Sequence, residues 1–186
     1  MQLRFTTPDA PELSPTELAL YGKMDPVRMM VNASIRRFVN EHSELLAGRV
    51  LDYGAGKIGT CRTPQPFRYM LPAHDYVPWE PGDVIPARDG SFEGILCTQV
   101  IQNVDDPPLL FREFLEWLSP GGHLVLTYPI AWQQIEQELW RFTERGIWAM
   151  CHRRGLKIVQ NRVLCQVELD GIMPMALVGG LVARKV

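Results

Sequence analysis

The chain has 186 residues, 46% of them hydrophobic, and its 19 basic and 21 acidic side chains leave a formal net charge of -2. That length and apolar content build one soluble globular domain with a core of its own. A near-neutral balance without a dense Lys/Arg run excludes the long-range attraction that a nucleic-acid partner needs. The longest apolar run, Met175 to Ala183, is too short to cross a bilayer, and the opening MQLRFTTPDAPE lacks a signal-peptide core, so no membrane partner and a cytoplasmic location are expected. Cys61, Cys97, Cys151 and Cys165 are scattered, with no CxxC pair and no Cys/His spacing for zinc. Four reduced thiols and no metal are the expectation.

In chain order, Ser14-Pro15-Thr16-Glu17 has the sequence of a capping box and opens a short helix through Leu20. Asp25-Pro26 opens a longer one, in which Val27, Met30, Val31, Ile35 and Phe38 recur at helical spacing as far as about Ala47, with Gly48 as the stop. Arg49 to Tyr53 reads as a buried strand, and His74 to Trp79 as a second. Between them Pro64 and Pro66 interrupt any long crossover helix and leave a short one near Phe67 to Leu71. Gly94 to Thr98 is a third strand, and Asp106-Pro107 caps a helix carrying Leu110, Phe114, Leu115 and Leu118 that Ser119-Pro120-Gly121-Gly122 ends.

His123 to Tyr128 is the next strand. A helix from about Gln133 into the Arg153 region follows, with a break near Thr143, and Leu156 to Cys165 and Ala176 to Ala183 close the chain as a strand pair joined through Asp170-Gly171. Alternating strands and helices predict an α/β, Rossmann-like, mostly parallel sheet with helices on both faces, and the closing pair predicts an antiparallel C-terminal strand. Residues 1–48 are expected to be a helical segment packing on a core formed by 49–186, within one compact domain.

VLDYGAGKIGT, residues 50–60, places three glycines as GxGxxG after an apolar run, which lets backbone approach a ligand at a helix N-terminus. Glu80 follows Gly59 at a distance that suits a carboxylate on ribose hydroxyls, for a nicotinamide dinucleotide and for any adenosine ligand alike. Asp52 separates the two. A carboxylate just ahead of the turn repels a pyrophosphate and suits a ligand with an ammonium group and a sulfonium charge, which points to S-adenosylmethionine.

VLDYGAG, DYVPWE, DGSFEGILCTQVIQNVDDP and LSPGGHLVLTYP, in that order, resemble the core motifs of class I S-adenosylmethionine-dependent methyltransferases, particularly the type 11 methyltransferase-domain group. The resemblance covers about Val50 to Pro129, with a fainter echo through Leu139 to Thr143 and Gly155 to Ile158. It implies a seven-stranded sheet with an antiparallel last strand. It also implies cofactor contacts by Asp52, Tyr53, Gly54 and Gly56 in the first motif, by Glu80 on ribose, and by Cys97, Thr98 and Gln99 along the methionine moiety.

The chain departs from that pattern in two places. PGDVIPARDGS, between Glu80 and Phe92, is shorter than in the family, truncates the third strand, and leaves Asp83, ahead of Asp89, to take the adenine contact. Gln102-Asn103 stand where many relatives carry Glu-His, so that loop offers no histidine base. Asn103, Trp132 and Arg141 are then the candidates for the acceptor side, whereas Trp140 and Trp148, eight apart, read as core. The predicted function is methyl transfer from S-adenosylmethionine to an O, N or C atom of a small molecule, by a chain free to form a homo-oligomer. The rivals are a methyltransferase-like protein that binds or regulates with little or no catalysis and, behind it, a nicotinamide-dependent oxidoreductase.

Overall fold

A computed structural model describes residues 3–5, 15, 25–55, 73–79, 90–131, 138–169 and 174–186. Its strands are β1 (Leu3–Phe5), β2 (Gly48–Tyr53), β3 (Ala73–Trp79), β4 (Phe92–Thr98), β5 (Leu118–Pro129), β6 (Leu156–Leu169) and β7 (Met175–Lys185). The helices are α1 (Pro26–Glu41), α2 (Pro107–Trp117) and α3 (Glu144–Arg153). The strands form one sheet in the order β1-β6-β7-β5-β4-β2-β3. From β3 to β5 every pairing is parallel. From β5 outward through β7 and β6 to β1 every pairing is antiparallel. The expected Rossmann-like sheet and its antiparallel C-terminal strand are therefore present.

Residue alternation sorts the strands onto two layers. Leu51 and Tyr53 of β2, Ile95 and Cys97 of β4 and Leu124 and Leu126 of β5 join a core with α2 and α3. Their neighbours Val50, Leu96 and Val125 join a second core under α1. The central strands are apolar on both faces because both faces are covered. Helix α1 starts where Asp25 accepts the Arg28 amide at 2.9 Å with Pro26 in the first turn, and it buries Val31, Ile35, Phe38 and Val39.

Several boundaries move. Helix α1 stops at Glu41, and Ser43–Leu46 forms a 3-10 turn before Gly48 starts β2 at φ +81°. Ser119 to Gly122 do not end a helix: α2 stops at Trp117, and these residues lie in the bulged start of β5, where Leu118 pairs with Phe92. Helix α3 begins only at Glu144, because Thr143 is its cap and accepts the Gly146 amide at 3.0 Å. Gln133 to Gln137 lie outside the described residues, as do the expected helices at 16–20 and 67–71 and the shortened stretch 80–89. The seventh described strand is β1, on the edge beside β6.

Trp140 precedes α3 and is 44% exposed, and Trp148 is 45% exposed with its ring stacked on His152 at 4.7 Å. Neither is core. Cys97, Cys151 and Cys165 are buried free thiols, and burial pushes all three up, Cys165 to about 11. No described helix is long and apolar enough to cross a membrane.

Candidate functional site

The chain runs from β2 to β3 on one side and reaches β4 on the other, so the strand order reverses between β2 and β4. In an open α/β sheet the ligand crevice lies beyond the carboxyl ends of the two strands at such a reversal. Here those ends are Asp52 to Ala55 and Thr98 to Val100.

Asp52 is 6% exposed, an ionisable side chain held within the fold at the strand end. Its register partners are Pro78 in β3 and Leu96 in β4, and its carbonyl accepts the Ala55 amide at 3.4 Å, which folds the chain back after the strand. Gly54 makes this possible with φ +84°, and a Cβ there would sit 2.4 Å from Val100 Cγ2. No other residue type lets the β2 turn and the β4 loop close on each other in this way.

Tyr53 faces the opposite layer, as strand alternation requires. Its ring lies edge-on to Phe114 at 5.3 Å and stacks near Trp117 at 6.4 Å, and burial, then Cys97 and Glu113, raise its phenol above the ordinary range. The Tyr53 side chain is thus core, with only its backbone at the turn. Cys97 is the same case: it is fully buried, and burial followed by the Asp52 carboxylate drives its thiol upward, against a smaller lowering by the Ile101 backbone.

Beyond Thr98 the chain enters an unusual conformation. Gln99 is the one non-glycine among the described residues with positive φ, +54°, a state that costs on the order of 1–3 kcal/mol unless its surroundings hold it. Three hydrogen bonds do so. The Gln99 amide donates to the Thr127 carbonyl at 3.1 Å, Gln99 Nε2 to Thr127 Oγ1 at 3.2 Å, and Gln102 Nε2 to the Gln99 carbonyl at 2.7 Å. Thr127 and Gln102 are buried polar residues; Gln102 stands out in the sequence only as the replacement of a Glu, and the signal for Thr127 is a lone threonine inside the apolar run of β5.

The segment ahead of α3 is tied to this loop. The Gln102 carbonyl accepts the Leu139 and Trp140 amides at 2.8 and 3.2 Å, the Trp140 indole donates to the Val104 carbonyl at 2.8 Å, and the Phe142 amide to the Pro129 carbonyl at 3.4 Å. Arg141 pairs at 2.5 Å with Glu138, whose side chain is 4% exposed. Asn103 is exposed, and its amide donates to the Val100 carbonyl at 2.9 Å. Asp52, Gly54, Thr98 and Gln99 therefore gather at the β2/β4 end, with Asn103 one loop turn away and Arg141 on the adjoining segment. Gly56, Glu80, Asp83 and Trp132 lie outside the described residues. Among the described residues no three His, Cys, Asp or Glu side chains converge on a metal site.

A family model described as a methyltransferase domain matches residues 30–161, more than half of the chain. The chain belongs to the methyltransferase-domain family. Its cofactor is accordingly S-adenosylmethionine, which decides between the two ligands that the glycine turn allowed. No curated protein sequence matches the chain. Solved structures similar to it include the [4+2]-cyclase SpnF, with 13% identity, TM-score 0.60 and coverage of 87% of this chain and 84% of that one. An S-adenosylmethionine-dependent methyltransferase from Mesorhizobium loti has 15% identity, TM-score 0.52 and coverage of 82% and 96%. Another from Aquifex aeolicus has 13% identity, TM-score 0.55 and coverage of 91% and 98%. At these identities the likeness is one of fold, and a fold shared by a cyclase and methyltransferases does not by itself name a reaction.

The residues at the β2/β4 end fit the cofactor. A buried carboxylate ahead of a left-handed glycine suits an ammonium and a sulfonium charge, and it opposes a diphosphate.

Proposed function

We propose that the chain transfers the methyl group of S-adenosylmethionine to an O, N or C atom of a small molecule. Asp52, the backbone from Tyr53 through Gly54 to Gly56, and the strand end Cys97-Thr98-Gln99 hold the methionine part, and Glu80 and Asp83 hold the nucleoside. In this reading residues 49–186 carry the cofactor site and 1–48 pack against them. The bound cofactor supplies a methyl carbon on a positive sulfur; the acceptor's lone pair forms the new bond, the old carbon–sulfur pair stays on sulfur, and any acceptor proton leaves to water.

The protein's part is attraction and placement. Asp52 draws in the positive ligand, and the Gln99 turn, held by Thr127 and Gln102, fixes the backbone beside it. Placement of this kind supplies much of the acceleration in a displacement reaction. From Thr98 to Asn103 the polar side chains of the β4 loop are a hydroxyl and amides, Thr98, Gln99, Gln102 and Asn103, none of which serves as a base near neutral pH. In this reading Asn103 orients the acceptor by hydrogen bonding, and Arg141 and Trp132 complete the acceptor side.

The buried Asp52 carboxylate ahead of Gly54 is the observation that carries this reading. Calorimetry of the whole chain with S-adenosylhomocysteine and, separately, with NADH tests it. Binding of the first and not the second is expected; the reverse result, or no heat from either at high micromolar ligand, overturns it.

A further inference from the structure

Between the start of α2 and the side of α3 lies a cleft of about 530 Å³, a volume typical of small-molecule sites. Pro107 and Pro108 line it from α2, Ala149 and Met150 from α3, and Trp140 and Phe142 from the segment ahead of α3. Phe142 is buried, whereas Trp140 is 44% exposed with its indole N–H fixed on Val104, so a flat aromatic surface is held open.

The charge on this cleft is one-sided. Arg141, Arg153 and Arg154 line it, and among the described residues no Asp or Glu does. Arg141 is matched by Glu138. Among the described residues Arg153 and Arg154 form no ion pair. Their place at the end of α3 suits the helix dipole, which accounts for cations there but not for an aromatic and methionine lining beside them. The Asp106 carboxylate nearby is engaged, accepting the Leu109 amide at 2.9 Å as the cap of α2.

The cleft is also joined to the β4 loop. Its Trp140 wall hangs on the carbonyl of Gln102, the residue whose side chain holds Gln99 in its left-handed turn. Its Phe142 is tied to Pro129 at the carboxyl end of β5. The Trp140 and Phe142 side of the cleft is therefore anchored to the carboxyl ends of β4 and β5, while Arg153 and Arg154 lead into β6, whose Leu156 pairs with Lys185.

We propose that this cleft receives the methyl acceptor and that the acceptor is a flat, largely apolar anion, its ring against Trp140 and Met150 and its anionic group on the Arg153 and Arg154 guanidinium groups. The assignment rests on the methyltransferase reading above. Guanidinium forks match a carboxylate in two parallel hydrogen bonds, and the aromatic wall rewards a ring, so neither part alone suffices.

The test is calorimetry of the whole chain with 1-naphthoate, with 1-naphthalenemethanol, which keeps the ring and lacks the charge, and with S-adenosylhomocysteine. The acid is expected to bind at least about tenfold tighter than the alcohol, and the double variant Arg153→Gln/Arg154→Gln to erase that difference. Ala149→Phe, which fills the cleft from α3, is expected to abolish binding of both naphthalene probes. Both variants are expected to keep S-adenosylhomocysteine affinity within about twofold, which also shows that they are folded. The indole N–H resonance of Trp140, identified by its loss in Trp140→Phe, is expected to shift on adding the acid. Equal affinity for acid and alcohol, or undiminished acid binding by the double variant, overturns the proposal. Loss of S-adenosylhomocysteine binding by the unaltered chain instead overturns the cofactor reading, and the acceptor role with it, whatever the naphthalene probes do.

Discussion

At the amino ends of β2, β4 and β5 the left-handed backbone positions are all glycine: Gly48 at φ +81°, Gly90 at +67° and Gly121 at +82°. At the carboxyl end of β4 the same region of backbone space is held by Gln99, with a full side chain. Glycine enters that region at almost no cost, and glutamine does not. The amino ends are thus turned by the cheapest residue available, while the carboxyl end of β4 keeps a costly conformation and fastens it with buried Thr127 and Gln102. Polar groups show the same contrast. Glu93, at the amino end, is an exposed carboxylate that accepts the Arg49 amide at 2.8 Å; Asp52, at the carboxyl end, is taken almost wholly out of water. The difference teaches where this fold accepts strain and desolvation, which is at the end that meets the ligand.

Substitutions at the two ends can break or sharpen that contrast. The largest effect is expected from Gly54→Ala, which puts a methyl 2.4 Å from Val100 and a side chain on positive φ. A loss on the order of 3 kcal/mol of stability should appear in urea unfolding, and a near-neutral result would show that the two strand ends are not closed on each other. Asp52→Asn keeps the shape and removes the charge. Its affinity for S-adenosylhomocysteine should fall by about ten- to a hundredfold in calorimetry, and unchanged affinity would remove Asp52 from the site.

Thr127→Val is a smaller step. It deletes the hydroxyl that holds Gln99 Nε2 and should cost about 1 kcal/mol, with a parallel loss of cofactor affinity if the Gln99 turn positions the ligand. Stability loss without any change in affinity would make that cluster structural only. Glu93→Gln, at the opposite end, should move stability by no more than about 0.5 kcal/mol and leave cofactor affinity alone, as an exposed polar contact does. A larger effect there would erase the distinction between the ends.

Much of the sheet is legible in the sequence because its central strands are buried on both faces. Val50-Leu51, Ile95-Leu96 and Leu124-Val125-Leu126 are continuous apolar runs for that reason. The α1 stripe is equally plain. Ser119 to Gly122 mislead, since proline and glycine mark a helix stop and a bulged strand start with the same residues. Trp140 and Trp148 mislead in another way: their spacing means one helical face only if the helix is continuous, and Thr143 caps its start between them. Leu3–Phe5 offers three residues, too few to show a period. At the site, Asp52 and Gly54 stand out because a turn imposes its chemistry locally. Thr127 does not, because its partner Gln99 is brought to it from 28 residues away by strand pairing rather than by spacing.

The three thiols among the described residues have a practical consequence. Cys97 lies in the strand beside the β2/β4 crevice, Cys151 in the helix that borders the cleft, and Cys165 on the other layer under α1. Each is sealed and kept protonated, so an alkylating reagent reaches it only when its own neighbourhood opens. Timed iodoacetamide capture read by mass spectrometry would therefore run three independent clocks in one unlabelled chain, and slowing of the Cys97 clock alone on adding S-adenosylhomocysteine would locate the ligand without a crystal.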